Sequence, residues 1–369
     1  MSGCRHFDAG RCRSCSLLGT TLEQQHLDKN ARLQTITGLV PEPLFAGPAW
    51  HFRDKIKLTV TGTSEAPVIG LLQEDLSTAV ELLDCPVQAQ TLNDQLPILK
   101  AFITRWRLTP YDILQRTGEL KGLILSHSPT TGEKMLRFVL RSKEALDRIR
   151  QGLPELSAFN VVSVNLQPVP HALLEGPEEI ILSTQQTLTH QANDVRLNFS
   201  PQSFMQTNSV VAEQLYATAV DWLAPWRRSR VLDLFCGVGG FALHLAQAGH
   251  EVHGVEINSA AVENARVSAR ALELATKFTA APAEKIQALW SEWNPEVVVV
   301  NPPRRGLGET RALVEQLKPA ALLYSSCSHE SLSADINALS ASYFASRTKI
   351  FDMFPNTHHF ESLTLLVRR

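Results

Sequence analysis

Arg230–Asn258 reads RVLDLFCGVGGFALHLAQAGHEVHGVEIN: an apolar strand, a glycine-rich turn, a helix, a second strand, and an acid at that strand's tip. Val231-Leu232-Asp233-Leu234-Phe235 is β-compatible, and Gly237, Gly239 and Gly240 permit a turn whose backbone approaches a ligand at a helix N-terminus. The helix is expected over Phe241–Ala248, ending at Gly249. His250–Ile257 then forms a strand that delivers Glu256 roughly 20 residues past the turn, where a carboxylate accepts both hydroxyls of a ribose. The dinucleotide fingerprint G-x-G-x-x-G fails here, because Ala242 stands where its third glycine belongs. A nucleotide-type pocket of another kind is expected.

Composition sets the bounds around this stretch. With 369 residues, 44% hydrophobic and 20% charged, the chain is long enough for two or three ordinary globular domains. A net charge of −2 gives no global signature of nucleic acid binding, so any basic surface must be local. MSGCRHFDAGRCRSC lacks an apolar signal core, and no run approaches the roughly 18 apolar residues of a membrane span. A cytoplasmic protein is expected, without membrane association or an obligate protein partner. In a reducing compartment its six cysteines must be metal ligands, nucleophiles or core filler rather than a disulfide framework.

Cys4, Cys12 and Cys15 crowd the first fifteen residues, and Cys85 follows in Asp84-Cys85-Pro86. Four thiolates suit either Zn²⁺ or a [4Fe–4S] cluster, and spacing does not choose between them; the Cys-Pro pair favours the cluster. From Ala46 to Asp194 short strands dominate, at Lys55–Thr61, Val68–Leu72, Leu123–Ser126, Met135–Leu140, Val161–Leu166 and Glu179–Leu182. Helical stretches at Thr91–Trp106 and Lys143–Leu153 interrupt them, which predicts an α+β domain rich in antiparallel sheet over 1–194. Arg53, Lys55 and Lys57 alternate along one strand, with Arg116, Lys121, Arg137 and Arg141 nearby. Such cations make either a solvated sheet face or a groove for a phosphate backbone.

The second domain, 195–369, opens on PQSFMQTN, in which Thr207 or Asn208 caps a helix and Gln206 precedes the cap. Strands alternate with helices through Val297–Val300 and Ala321–Ser325, which implies a Rossmann-like α/β domain with ligands beyond the strands' carboxyl ends. Two of those ends carry chemistry: Asn301-Pro302-Pro303-Arg304-Arg305-Gly306 and Ser326-Cys327. Methyltransferases that modify exocyclic amines place an aromatic residue after the prolines, and Arg304 occupies that place here. Cys327, a thiol at a strand tip, is a candidate nucleophile, whereas Cys236 within the glycine turn reads as core. Glu361, in HHFE before a last strand Leu363–Val367, is a candidate base; alone it would more often be a solvated loop acid.

The glycine turn resembles motif I of the class I S-adenosylmethionine (SAM) methyltransferases. PQSFMQTN, LDLFCGVGG, VEIN, NPPRRG, YSSC and HHFE, in this order, are similar to the RNA (uracil-C5)-methyltransferases over essentially the entire chain. The likeness is strongest to members acting on 23S rRNA; a tRNA substrate is the nearer alternative, and an iron–sulfur redox-sensing RNA-binding protein the more distant one. The resemblance implies SAM contacts from Gln206, Phe235, Gly237, Glu256 and Asn301. It implies Cys327 as nucleophile, Glu361 as base, and a [4Fe–4S] cluster on Cys4, Cys12, Cys15 and Cys85. The chain departs from the family in Asn301, where many relatives have Asp, in Met205 for a common Phe, and in Ala281-Pro282-Ala283, which offers adenine no acid.

Overall fold

The computed structural model describes residues 3–172, 174–285 and 293–369, which form two compact units. The first comprises Met1–Arg13, Trp50–His190 and Phe199–Thr207; the second comprises Ser14–Ala49, Gln191–Asn198 and Asn208–Arg369. The chain therefore changes unit more than once, and residue 194 falls in the turn between the hairpin strands Leu188–Ala192 and Val195–Phe199.

The first unit is built on a seven-stranded sheet in the order Ala79–Glu81, Pro67–Leu72, Lys55–Gly62, Leu120–His127, Lys134–Leu140, Val161–Leu166, Glu178–Ile181. Every pairing is antiparallel except Lys134–Leu140 with Val161–Leu166, which the helix Leu146–Gly152 links by a crossover. Period-two alternation sends Ile56, Leu58, Val60, Leu136, Phe138 and Leu140 into one apolar core with the helix Leu96–Arg105. The single helix expected over Thr91–Trp106 is two, Gln90–Asn93 and Leu96–Arg105, because Pro97 suits only a first turn.

The opposite face of that sheet is no phosphate groove at its centre. Lys57, Ile124, Arg137 and Ser163 lie in one cross-strand row. Arg137 is only 1% exposed. Its guanidinium donates to Glu179 at 3.1 and 2.6 Å and to Glu175 at 2.8 Å, and Lys57 also pairs with Glu175. Ser163 and Asn165 donate to the same Glu179 carboxylate at 2.6 and 2.8 Å. The charges predicted on one face are there, but the chain's own carboxylates, Glu175 and the Glu179 of the last expected strand, have claimed Arg137 and Lys57. Removing one partner from such a buried set leaves uncompensated charge. Arg137→Ala is therefore expected to destabilise this unit by about 3–5 kcal/mol, measured by urea denaturation.

The second unit holds an eight-stranded sheet: Glu42–Ala46, Tyr343–Asp352, Glu361–Arg368, Ala321–Ser326, Val297–Val300, Arg230–Leu234, Glu251–Glu256, Lys277–Ala280. From Ala321–Ser326 onward all pairs are parallel, and Val297–Val300 is wholly buried, as a strand covered on both faces must be. Glu361–Arg368 runs antiparallel between Ala321–Ser326 and Tyr343–Asp352. The expected helices appear as Ser209–Leu223, Gly240–Gln247 and Ser259–Ala271, the first capped by Asn208 rather than Thr207. Leu22–Thr37, Thr310–Leu317 and His329–Leu339 are further helices, and Leu22–Thr37 packs against His329–Leu339 and the strand Tyr343–Asp352. No helix among the described residues is long and apolar enough to cross a membrane.

Candidate active site

The carboxyl ends of the parallel strands carry the cofactor candidates. Phe235 leaves Arg230–Leu234 at φ +65°, and Gly237 and Gly239 follow at +55° and +89° before the helix Gly240–Gln247. A Cβ on Gly237 would meet nothing within 4 Å, whereas one on Gly240 would lie 2.6 Å from the Tyr216 hydroxyl. The first glycine thus leaves space beside the turn; the second serves helix packing. Glu256, closing Glu251–Glu256, accepts the Gly237 N–H at 3.2 Å and the Asn258 N–H at 2.8 Å. That cradle fixes the carboxylate at the turn while its remaining lone pairs stay available. Asp233 is wholly buried at the centre of the sheet, and burial pushes its pKa well up. Asn301 immediately follows the strand Val297–Val300. Gln206 belongs to the first unit, where the neighbouring Thr207 carbonyl accepts the Asp54 N–H at 2.8 Å.

Cys327 and Glu361 are brought together by the antiparallel ladder. Its register pairs Ser325 with Leu363 and ends at Ser326 with Ser362; Cys327 and Glu361 are the residues next to that last pair, near enough for the Glu361 charge to act on the thiol. Glu361 is not a solvated loop acid: it opens its strand, is 3% exposed, and accepts the Ser325 hydroxyl at 2.6 Å. Burial raises its pKa to about 7, against the lowering effect of Ser325. Burial, and then the Glu361 charge, raise the pKa of the half-buried Cys327 thiol, while the Arg304 guanidinium hydrogen-bonds the sulfur and opposes both. One acid poised near neutrality and one thiol beside a cation are groups of the kinds that serve as general base and nucleophile.

Nothing in the position of Arg304 after the two prolines announces that its charge acts on the thiol. Its loop is anchored by Asp335, whose Oδ2 accepts the Leu307 N–H at 2.9 Å and the Tyr324 hydroxyl at 2.8 Å. Gly306, at φ +80°, makes room for this: a Cβ there would stand 2.6 Å from that oxygen. Nothing in the local sequence links Asp335 to a loop nearly thirty residues earlier. His329, two residues past Cys327, packs on Phe360 at 3.9 Å between ring centroids, and burial lowers its pKa to about 4.

Of the four amino-terminal candidates, Cys4, Cys12 and Cys85 belong to the first unit and Cys15 to the second. Burial raises the Cys85 pKa, and the charges of Cys4 and Cys12 raise it further, so these three sulfurs share one neighbourhood. Arg5 and His6 hold Asp84 at 2.6 and 2.8 Å, which ties the Cys4 segment to the turn carrying Cys85. Among the described residues no group of three or more Cys, His, Asp or Glu side chains stands ready to hold a metal ion.

Fold and strand-end site together are those of a SAM-dependent methyltransferase. A family model described as tRNA (Uracil-5-)-methyltransferase matches residues 175–369. The 23S rRNA (uracil(747)-C(5))-methyltransferase RlmC of Pectobacterium atrosepticum is 43% identical over 377 residues, 99% of each chain. That of Escherichia coli is 42% identical over 376 residues, 99% of this chain and 100% of its own. Among solved structures, Pyrococcus abyssi tRNA (uracil-54, C5)-methyltransferase in complex with S-adenosyl-L-homocysteine superposes with a TM-score of 0.83 at 25% identity, covering 96% of this chain and 85% of that one. The chain belongs to the RNA (uracil-C5)-methyltransferase family.

The charges around the thiol make a direct test. Glu361→Gln removes the anion and should shift the pH midpoint of Cys327 alkylation downward, whereas Arg304→Ala should shift it upward. Mass spectrometry of the Cys327 peptide after alkylation pulses across pH reads both; a midpoint unmoved by either change would mean that neither charge reaches the sulfur.

Proposed function

We propose that this chain methylates C5 of a uridine in 23S rRNA, with the unit built on the seven-stranded sheet recognising the RNA and the unit built on the eight-stranded sheet, which includes Ser14–Ala49, performing the chemistry. The observation that carries the reading is that Cys327 and Glu361 adjoin the last pair of the ladder, with the buried carboxylate and Arg304 both acting on the thiol. The chain's likeness to 23S rRNA enzymes over its whole length supports the substrate.

C5 of uracil is a poor nucleophile, because the ring is electron-poor. Cys327 as thiolate adds to C6, and the resulting enolate carries carbanion character at C5. SAM, when bound, supplies an electrophilic methyl group. Once C5 bears that methyl, Glu361 as carboxylate takes the C5 proton, the C5=C6 double bond re-forms, and the thiolate leaves. Arg304 holds the sulfur's charge before addition and after departure. Arg305, exposed on the same loop, is free to meet a phosphate or carbonyl oxygen of an extruded uridine. Glu256 accepts the cofactor's ribose hydroxyls, and Gly237 gives the open approach that its missing Cβ leaves. Phe235, Asn301 and Gln206 complete the set of cofactor contacts.

Glu361→Gln keeps the side chain's shape but removes its basicity. Methylation should proceed and then halt, leaving RNA bonded to the protein through denaturing electrophoresis and carrying label from the SAM methyl group; Cys327→Ala should abolish the adduct. Wild-type turnover should climb as pH rises through about 7, as Glu361 becomes carboxylate. Nucleoside mass spectrometry of 23S rRNA and tRNA treated in parallel identifies the substrate. Methylation confined to tRNA, or a Glu361→Gln enzyme turning over normally, would overturn the reading.

We also assign a [4Fe–4S] cluster to Cys4, Cys12, Cys15 and Cys85. An all-thiolate donor set fits it, three of the sulfurs interact, and Cys15 is three residues along the chain from Cys12. Bound there, it would staple the amino-terminal segment to the Asp84-Cys85-Pro86 turn. Anaerobically purified protein should be brown with about four irons and four sulfides, and Cys85→Ser should lose the colour whereas Cys236→Ser should not. Stoichiometric zinc without labile sulfide would refute the assignment.

A further inference from the structure

We infer that Gln25 is a positioning residue for the catalytic base, holding the strap 353–360 that leads into Glu361; this rests on the reading of Glu361 as that base. The Gln25 side chain is 1% exposed and lies on the helix Leu22–Thr37, whose other buried residues are Lys29 and Leu33. Its Nε2 donates to the Leu17 carbonyl at 3.1 Å and the Thr20 carbonyl at 2.9 Å. Its Oε1 accepts the Asn356 N–H at 3.0 Å. The Leu17 N–H donates in turn to the Asn356 carbonyl at 3.0 Å. One buried amide thus ties the Leu17–Thr20 turn to Asn356, 331 residues from Gln25 along the chain.

Asn356 is the residue on which the strap bends. Its φ of +65° is a conformation that L residues adopt reluctantly, and both of its backbone polar groups are satisfied by this amino-terminal turn. One turn further along the helix, Lys29 donates to Asp352 at 2.6 Å, with His26 beside it at 3.0 Å, fixing the residue just before the strap. Beyond Asn356, the Thr357 hydroxyl donates to the Phe354 carbonyl at 2.8 Å, and Phe360 is wholly buried against His329. Clamped at both ends, the strap has one way to deliver Glu361 to its register. The clamp also reaches towards a candidate cluster ligand, because the Leu17 turn begins at Cys15, whose carbonyl accepts the Leu18 N–H at 3.3 Å.

A displaced base should slow proton removal from C5 without hindering the steps before it. Gln25→Leu keeps the volume and removes the amide. We expect kcat to fall by roughly 10–100-fold with the KM for SAM unchanged within about twofold. The denaturation-resistant, methyl-labelled protein–RNA adduct should accumulate during turnover, a readout that a general loss of stability would not produce. Gln24→Leu, one residue away on the exposed face, should turn over within about twofold of the parent chain. Turnover near the parent value, or a fall in kcat with no adduct, would overturn the inference. Should Gln25→Leu not fold, Gln25→Glu, which keeps an acceptor for Asn356 but loses both donors, takes its place with the same two outcomes. Glu361→Gln run alongside separates the failures: if it traps adduct and the Gln25 variant does not, Gln25 alone was misread; if neither does, the base was.

Discussion

The catalytic half of this protein depends on the register of one antiparallel pair, Ala321–Ser326 against Glu361–Arg368. Side chains alternate with period two, so a slip of one residue would carry Glu361 to the opposite face of the sheet from the thiol's partner side. The ladder is pinned by its own side chains. Ser325 donates to Glu361 across the pair, Ser362 donates to the Ser326 carbonyl at 3.2 Å, and Thr364 meets Thr348 on the other neighbour at 3.1 Å. Small hydroxyl residues in a buried strand would ordinarily be a weakness; here each finds a partner that confirms the same pairing.

The same burial that serves the base hinders the nucleophile. A carboxylate removed from water becomes basic enough to accept a proton near neutrality, yet its charge discourages the adjacent thiol from ionising. Arg304 opposes this from the exposed side, without bringing the thiol's pKa back to its ordinary value. It can do so only if its loop is held, and Asp335 holds it from a helix that starts two residues after Cys327. The nucleophile, its cation and that cation's anchor thus share one short stretch of chain and one loop.

The reading from sequence reached the strand, turn and helix of Arg230–Asn258 because glycines and unbroken apolar runs are strong local signals, and the structure places those elements within a residue or two. The place of Cys327 was legible for the same reason, at the end of an obvious strand. Glu361 was legible only through family likeness, since its burial comes from strands that pair at a distance. The strand Tyr343–Asp352 was not read at all: a bulge between Ala345 and Arg347 shifts its alternation part-way along. Leu22–Thr37 was missed because its buried stripe is Gln25, Lys29 and Leu33, two polar residues in three, although Thr21 capping Gln24 and Gly38 at φ +73° mark its ends. Arg137 was read as a surface cation because nothing local announces that Glu175 and Glu179 will close over it.

The position of Glu361–Arg368 between two strands that precede it in sequence has a consequence for how this sheet comes into being. Ala321–Ser326 and Tyr343–Asp352 emerge first with their facing edges unpaired, and they cannot pair with each other without excluding the strand to come. Glu361–Arg368 pairs locally with Tyr343–Asp352 across residues 353–360, so the step that closes the sheet is the longer-range pairing with Ala321–Ser326. Until it happens, the molecule presents two open β edges, the feature that invites association with other chains. Since that pairing also brings Glu361 near the thiol, the closing of the sheet and the arrival of the base are a single event.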